Sequence, residues 1–536
     1  VNKTKTEKKK KREKRKETKK YIYQSTMTTD NLNNALSFKH LFSNECLSRG
    51  ESPIKTTMKY FLDPEFHFLG AGMPPLELFA FQNFSFKSLD LKNYTFNEIQ
   101  DIIINKNDKF EEHVNGNIVE DELDSDILIE RALQYGNSRG HPSLLNFLKI
   151  HINNTFKPIY KDWDILINNG STYGLESLLR IFCNPNDTIL LEDLCYSSTI
   201  EAISAQKINT VPIKMDSNGI IIEDLEYKLK NWETCYGDLK KPKIMYLIPN
   251  GHNPKGVTLC DNRKLKIYQI LKQYDIILIE DDPYYWLQMP QYKKPSFKDD
   301  QFIDENKPET DINTNQDFLN KLSNSFLSID TDGRVIRLES FSKYFGPGTR
   351  LGYVIGSKQI LDNIWNYHEV SLQASSGISQ LMVNGLLNRW GQLGYLNWFK
   401  RLRVVYTQKR NFCLNSLYKH IHQFDINEYV QVEEAPKAGM FFMIYLNISK
   451  HPEYNQKLVE LGKDKIVEYF ENLFFEKFIQ SKLLLAKGSW FTVSDPCHNV
   501  VNINRCMLRG TYAAVTPEKM NNGLKIFANI VKQEFN

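Results

Sequence analysis

Ile276-Ile277-Leu278-Ile279-Glu280-Asp281-Asp282-Pro283-Tyr284-Tyr285 is an aliphatic run that passes without a break into three carboxylates, a proline and two tyrosines. Consecutive aliphatic residues suit a strand buried on both faces, and a proline cannot continue its ladder. Outward from this segment the pattern repeats. Asp164-Ile165-Leu166-Ile167, Thr188-Ile189-Leu190-Leu191, Lys243-Ile244-Met245-Tyr246-Leu247-Ile248, Val335-Ile336-Arg337-Leu338 and Leu351-Gly352-Tyr353-Val354-Ile355 alternate with amphipathic stretches such as Ser171 to Phe182 and Asp261 to Tyr274. This alternation predicts an α/β fold whose large domain holds a mostly parallel sheet, with ligands bound at the carboxyl ends of its strands.

A second, smaller α/β unit is expected from about Asn397. It comprises a long helix, the strand Met440 to Tyr445, a helix through Val467 to Phe478 and a closing helix from Pro517. The expected organisation is a basic tail over 1–37, an N-terminal arm that is part of the small domain over 38–90, a large domain over 91–396 and a small C-terminal domain over 397–536. Within the large domain, 294–324 is polar and reads as an insertion loop.

The chain has 536 residues, 41% hydrophobic and 25% charged, an ordinary globular composition. No run of about 18 uncharged apolar residues occurs, so no membrane-spanning helix is expected. Lys3 to Lys20 carries twelve basic and three acidic residues, a net of +9 against +4 for the whole chain, so the remainder carries −5. That tail has no apolar core for secretion, and its glutamates argue against a mitochondrial presequence. It reads as a disordered extension, with nuclear import as its other reading and nucleic acid not expected as a partner. Because position 1 is valine, Met27 is an alternative start that would leave the tail out. The eight cysteines form no C-x-x-C pair, so no metal site is expected and a reducing, cytoplasmic setting is.

The chemistry sits at the strand ends. A phosphate needs helix N-terminal N–H groups, hydroxyls and a fixed cation. Gly170-Ser171-Thr172 opens a helix after a strand, which alone is an ordinary cap. Ser340-Phe341-Ser342-Lys343-Tyr344-Phe345-Gly346-Pro347-Gly348-Thr349-Arg350 adds two hydroxyls, a lysine and an arginine beyond a tight turn. A pyridine ring acting as an electron sink needs a carboxylate at its nitrogen. Asp282 is expected in that role, with Tyr285 and Asn253 reaching the ring's phenolic oxygen.

On these segments the chain resembles a class I/II, fold-type I aminotransferase dependent on pyridoxal 5'-phosphate, most similar to the fungal aromatic amino acid aminotransferases and the kynurenine/2-aminoadipate aminotransferases. The likeness also runs through Leu69-Gly70-Ala71-Gly72-Met73-Pro74, Leu133-Gln134-Tyr135-Gly136, Asn250 to Gly256, Ala486-Lys487-Gly488-Ser489-Trp490-Phe491 and Leu508-Arg509-Gly510-Thr511-Tyr512. It implies that Lys343 holds the cofactor as a Schiff base. Ser171, Thr172, Ser340, Ser342 and Arg350 would form the phosphate cup, and Tyr196 would stack on the ring. Arg509 would grip the substrate carboxylate, Gly72 would lie against the substrate, and Tyr135 would reach the neighbouring subunit's cofactor in a homodimer.

Two positions depart from the family pattern. Asn253-Pro254-Lys255-Gly256 has lysine where threonine is usual, and Lys55 stands where some relatives carry a substrate-facing arginine. The implied activity is ping-pong transfer of an amino group from phenylalanine, tyrosine or tryptophan, or from 2-aminoadipate or kynurenine, to a 2-oxo acid such as 2-oxoglutarate. Three other readings stay open on sequence: β-elimination with the same cofactor, a cofactor-binding transcription regulator, and a catalytically dead homologue, against which every matched polar position is filled. The regulator requires a helix-turn-helix ahead of residue 38, where the sequence is a charge run followed by polar residues.

Overall fold

A computed structural model describes residues 57–60, 63, 65–70, 75, 84–89, 110–115, 125–298, 301–307, 312, 314–497 and 502–536. The expectations for the tail 1–37, Met27, Lys55 and Gly72 lie outside the described residues. Seven strands build the main sheet: β1 (Trp163–Asn168), β2 (Thr188–Glu192), β3 (Asn209–Ile213), β4 (Ile244–Leu247), β5 (Ile277–Asp281), β6 (Val335–Ser340) and β7 (Gly352–Ser357). Their spatial order is β1-β7-β6-β5-β4-β2-β3. Only β7 runs against its neighbours.

Strands β2, β4, β6 and β7 are buried along their whole length, as the continuous aliphatic runs require. Flanking helices include α1 (Pro142–Thr155), α2 (Ser171–Phe182), α3 (Ser197–Ala205) and α4 (Asp261–Gln273). Helix α1 starts where proline needs no donor, and the His141 ring accepts from Ser143 N. Helix α2 buries Leu175, Leu178 and Leu179 at helical spacing.

Beyond the sheet come α5 (Lys358–Ser371) and α6 (Gly377–Gln423), the latter interrupted at Gly391, whose φ of 60° is not helical. The long helix expected from about Asn397 is therefore the second part of a run that begins twenty residues earlier. An antiparallel sheet follows, ordered β8-β9-β11-β10, from β8 (Val430–Val432), β9 (Phe441–Leu446), β10 (Ala486–Lys487) and β11 (Cys506–Thr511). Helix α7 (Lys463–Gln480) packs on it, and α8 (Pro517–Phe535) packs on α6 and α7. Further back in the chain, His67–Phe68 pairs in parallel with Leu483–Leu484.

The polar stretch 294–324 is not simply a loop. Ser296–Lys298 and Gln301–Ile303 form a hairpin, and Asn315–Asn320 is a helix with a capping box on Thr314. Phe297 stacks on His422 of α6 at 3.9 Å, and Asn415 donates to Asp304. Contacts to a helix more than a hundred residues later give these polar residues structure that local composition does not show.

Trp286, directly after the β5 strand end, is fully buried and stacks on Phe399 of α6 with centroids 4.2 Å apart and planes 6° from parallel. His151 and Phe156 flank the same ring. Trp286→Ala leaves a cavity under the strand end and is expected to cost about 3–5 kcal/mol, measured as a lower midpoint in urea denaturation.

Candidate active site

Strand β1 ends at Asn168, and Gly170 turns the chain into α2 at φ +94°. A Cβ at Gly170 would meet Arg350 Nη2 at 3.0 Å, so glycine leaves the guanidinium room beside the helix N-terminus. Arg350 has φ +45° after the Gly346-Pro347-Gly348 turn. Its Nη2 donates to Asn169 O at 3.0 Å, and its Nη1 lies 3.5 Å from Ser342 Oγ. Ser340 Oγ accepts from Ser342 N at 3.2 Å. Three chain segments thus bring Ser171, Thr172, Ser340, Ser342 and Arg350 around the open end of α2, whose first N–H groups have no helical acceptor. A phosphate dianion fits this arrangement.

Lys343 closes the short helical turn after β6. Burial foremost, then the positive charges of Arg509 and Arg350, depress its amine to about 8, with Asp281 opposing. Asp281 accepts from Tyr246 through Oδ2 at 2.7 Å, and its buried Oδ1 has no hydrogen-bond partner. Burial raises its carboxyl to about 6 against the pull of Tyr246, Arg337 and Lys343.

Asp282, expected to face the cofactor ring, points to the other side. Its Oδ2 accepts from Asn250 Nδ2 at 2.7 Å and from Arg337 Nη1 at 3.1 Å. The same guanidinium meets Glu280 at 3.0 Å and Glu339 at 2.6 Å, all four side chains being buried. Tyr285, also expected at the ring, packs edge-on against Phe156 and Trp286, with the Arg337 guanidinium 4.8 Å above it. Tyr284 instead stands edge-on to Phe441, near the Tyr196 phenol and the Arg509 guanidinium. The cause is strand parity. Successive side chains face opposite sides, and Asp-Asp-Pro-Tyr-Tyr offers two acid–tyrosine pairs of equal spacing. The pair turned toward Lys343 is Asp281 and Tyr284.

Arg509, on β11, is buried between the rings of Phe441 and Phe491 at 4.5 and 4.6 Å. Nη1 donates to Asn253 Oδ1 at 2.8 Å and Nη2 to Gly70 O, while the buried Nε has no hydrogen-bond partner. Burial lowers this guanidinium to about 10, still charged at neutral pH. A carboxylate fits such a site. Tyr196 caps α3, half-buried, with its phenol close enough to influence Arg509.

Tyr135 is 87% exposed beside Leu133 at 70%. Both line a groove of about 480 Å³ with Leu372, Gln373 and Ser376. Sequence reasoning did not single out Asp281, Tyr284, Tyr246, Phe441 or Phe491. The available signal was Tyr246, a hydroxyl within an otherwise apolar strand.

Known proteins share the fold and much of the sequence. The model of aminotransferase class I and II matches residues 103–527. An aromatic amino acid aminotransferase of Schizosaccharomyces pombe is 36% identical over 405 residues, 75% of this chain and 80% of that protein. The mitochondrial kynurenine/alpha-aminoadipate aminotransferase of Mus musculus is 31% identical over 418 residues, 76% of this chain and 84% of that protein. Among solved structures, aminotransferase Aro8 from Candida albicans superposes with a TM-score of 0.69 at 36% identity, covering 94% of this chain and all of that one. With its parallel-sheet core, its lysine among strand ends and a family match over most of its length, this chain belongs to the class I and II aminotransferases.

Proposed function

We propose that this aminotransferase moves the amino group of an aromatic amino acid to a 2-oxo acid such as 2-oxoglutarate, with pyridoxal 5'-phosphate held on Lys343. The observation that carries the proposal is the placing of Lys343 at the end of β6, within the influence of Arg509, Arg350 and Asp281, whose buried Oδ1 has no hydrogen-bond partner. The other residues fit the same cofactor. The Ser340, Ser342, Arg350 and α2 cradle suits its phosphate, and the unpartnered Asp281 Oδ1 suits a protonated ring nitrogen. Tyr284 and Asn253 suit its phenolic oxygen, and Tyr196 its ring face.

When bound, pyridoxal phosphate supplies the electron sink that makes the substrate α-proton removable. The side chains do the rest. Arg509 holds the substrate carboxylate and is itself braced by Asn253 and by two aromatic rings. Lys343 Nζ would take the proton from the substrate α-carbon and deliver it to the carbon on the ring side of the nitrogen, a task suited to an amine neutral in about a tenth of molecules at pH 7. Asp281 holds the ring-nitrogen proton. Aromatic groups around Arg509, together with the names of the fungal relatives, support an aromatic substrate. The exposed Tyr135 and Leu133 support a homodimer in which Tyr135 reaches the second subunit. The unpaired cysteines among the described residues support a reducing, cytoplasmic setting.

Lys343→Ala is expected to abolish turnover and the visible absorption of the cofactor-loaded protein; unchanged turnover would sink the proposal. Phenylalanine or tyrosine should bleach that absorption and 2-oxoglutarate restore it, whereas bleaching by 2-aminoadipate or kynurenine alone would move the substrate reading to those acids. Asp281→Asn should lower kcat by about a hundredfold or more through loss of the ring-nitrogen partner, and Asp282→Asn should act mainly on stability. The reverse ranking would return Asp282 to the ring.

Cofactor loading requires the neutral Lys343 amine. Its pKa of about 8 lies below the ordinary lysine value, so the loading rate should climb with pH and level off above about 8. A stopped-flow profile still climbing steeply at pH 9.5 would contradict the depressed amine.

A further inference from the structure

Lys255, the lysine that interrupts the usual Asn-Pro-Thr-Gly, is almost completely buried. Its Nζ donates to Asp216 O at 3.2 Å and Met215 O at 3.3 Å, and lies 3.7 Å from Glu433 Oε2. Its backbone N–H donates to His252 Nδ1 at 3.3 Å, and His252 Nε2 lies 3.1 Å from Glu192 Oε2. The half-buried Asp193, whose carboxyl is raised by burial, and Asp216 are further acids under the influence of this lysine. A cation this buried persists only when acceptors surround it.

On the far side, Glu433 Oε2 also accepts from Tyr445 OH at 2.6 Å. Glu433 N donates to Met443 O, and Met443 is the cross-strand partner of Arg509. Arg509 donates to Asn253, two residues before Lys255. The contacts close a ring from Lys255 through Glu433, Met443, Arg509 and Asn253 back to the Lys255 loop. The backbones within it touch. A Cβ on Gly251 would meet Ala438 C and Gly439 N at 2.5 Å, and one on Gly256 would meet Phe441 O at 2.7 Å.

We propose that Lys255 is a positioning residue: its bridge to Glu433 holds the Asn253 loop in register with β9 and β11, and so fixes where Arg509 presents its guanidinium to a substrate carboxylate. The contacts of Lys255 are with Met215, Asp216, His252 and Glu433, and it acts on substrate only through Arg509. The inference rests on the carboxylate role of Arg509 given above and adds the element that sets its place.

The test uses the cofactor-loaded full-length protein and its Lys255→Met, Lys255→Arg and Glu433→Gln variants. Lys255→Met and Glu433→Gln should each raise KM for amino donor and oxo acid in parallel by about fivefold or more, the size expected for losing a largely buried ion pair. kcat and cofactor retention should stay within about twofold, and Lys255→Arg should recover most of the loss. Calorimetric binding of 3-phenylpropanoate, a carboxylate that cannot be turned over, should weaken by a similar factor. Equal binding by wild type and Lys255→Met overturns the proposal while leaving the Arg509 assignment standing. A parallel fall of kcat, cofactor retention and melting temperature, without a separate KM effect, overturns it in favour of a purely structural lysine. Wild-type protein that does not bind 3-phenylpropanoate overturns the Arg509 assignment and the clamp with it.

Discussion

Arg337 and the three carboxylates around it constrain everything at the strand ends. Glu280 and Asp282 leave β5, Glu339 leaves β6, and all turn toward one guanidinium buried beneath the sheet, with Ser325 and Asn250 supplying further hydrogen bonds. Burying such groups costs several kcal/mol per ion unless partners surround them. Here burial and mutual repulsion push the Asp282 and Glu339 carboxyls upward while Arg337 pulls the other way. With Glu280 and Asp282 committed to Arg337, the pleat turns Asp281 to the opposite face, toward Lys343.

That face is electrostatically arranged around an amine. Burial comes first in holding Lys343 below its ordinary range, and Arg509, from the antiparallel sheet, and Arg350, from the turn after β6, add to it from two distant parts of the chain. A buried guanidinium beside an amine is a place for an arriving anion, which is the role we propose for Arg509. The site is thus organised for charges that arrive with its ligands, in keeping with the clustering of perturbed groups at functional sites.

The two sheets meet through glycines. Gly251 and Gly439, both at positive φ, let backbone rest on backbone, and Gly256 does the same against Phe441. Contacts this close leave little room for adjustment, which gives the Lys255–Glu433 bridge leverage over the Arg509 side chain.

Much of this was legible in the chain alone. The aliphatic runs defined a mostly parallel sheet, because strands buried on both faces must be apolar throughout. Lys343, Arg350, Ser340 and Ser342 stood out as candidates because residue type and short-range order bear on their chemistry, and Arg509 as a candidate through the family resemblance. The sequence could not decide between Asp281 with Tyr284 and Asp282 with Tyr285, since both pairs keep the same spacing and only the pleat of β5 against β6 assigns faces. It also missed the folded 294–324 segment, whose structure comes from packing on α6. The Lys255–Glu433 bridge was equally hidden, for it joins residues far apart in the chain. What lies close along the chain is determined by local chemistry; which side of a strand meets which charge, and which distant loops touch, is decided only when the sheets pack.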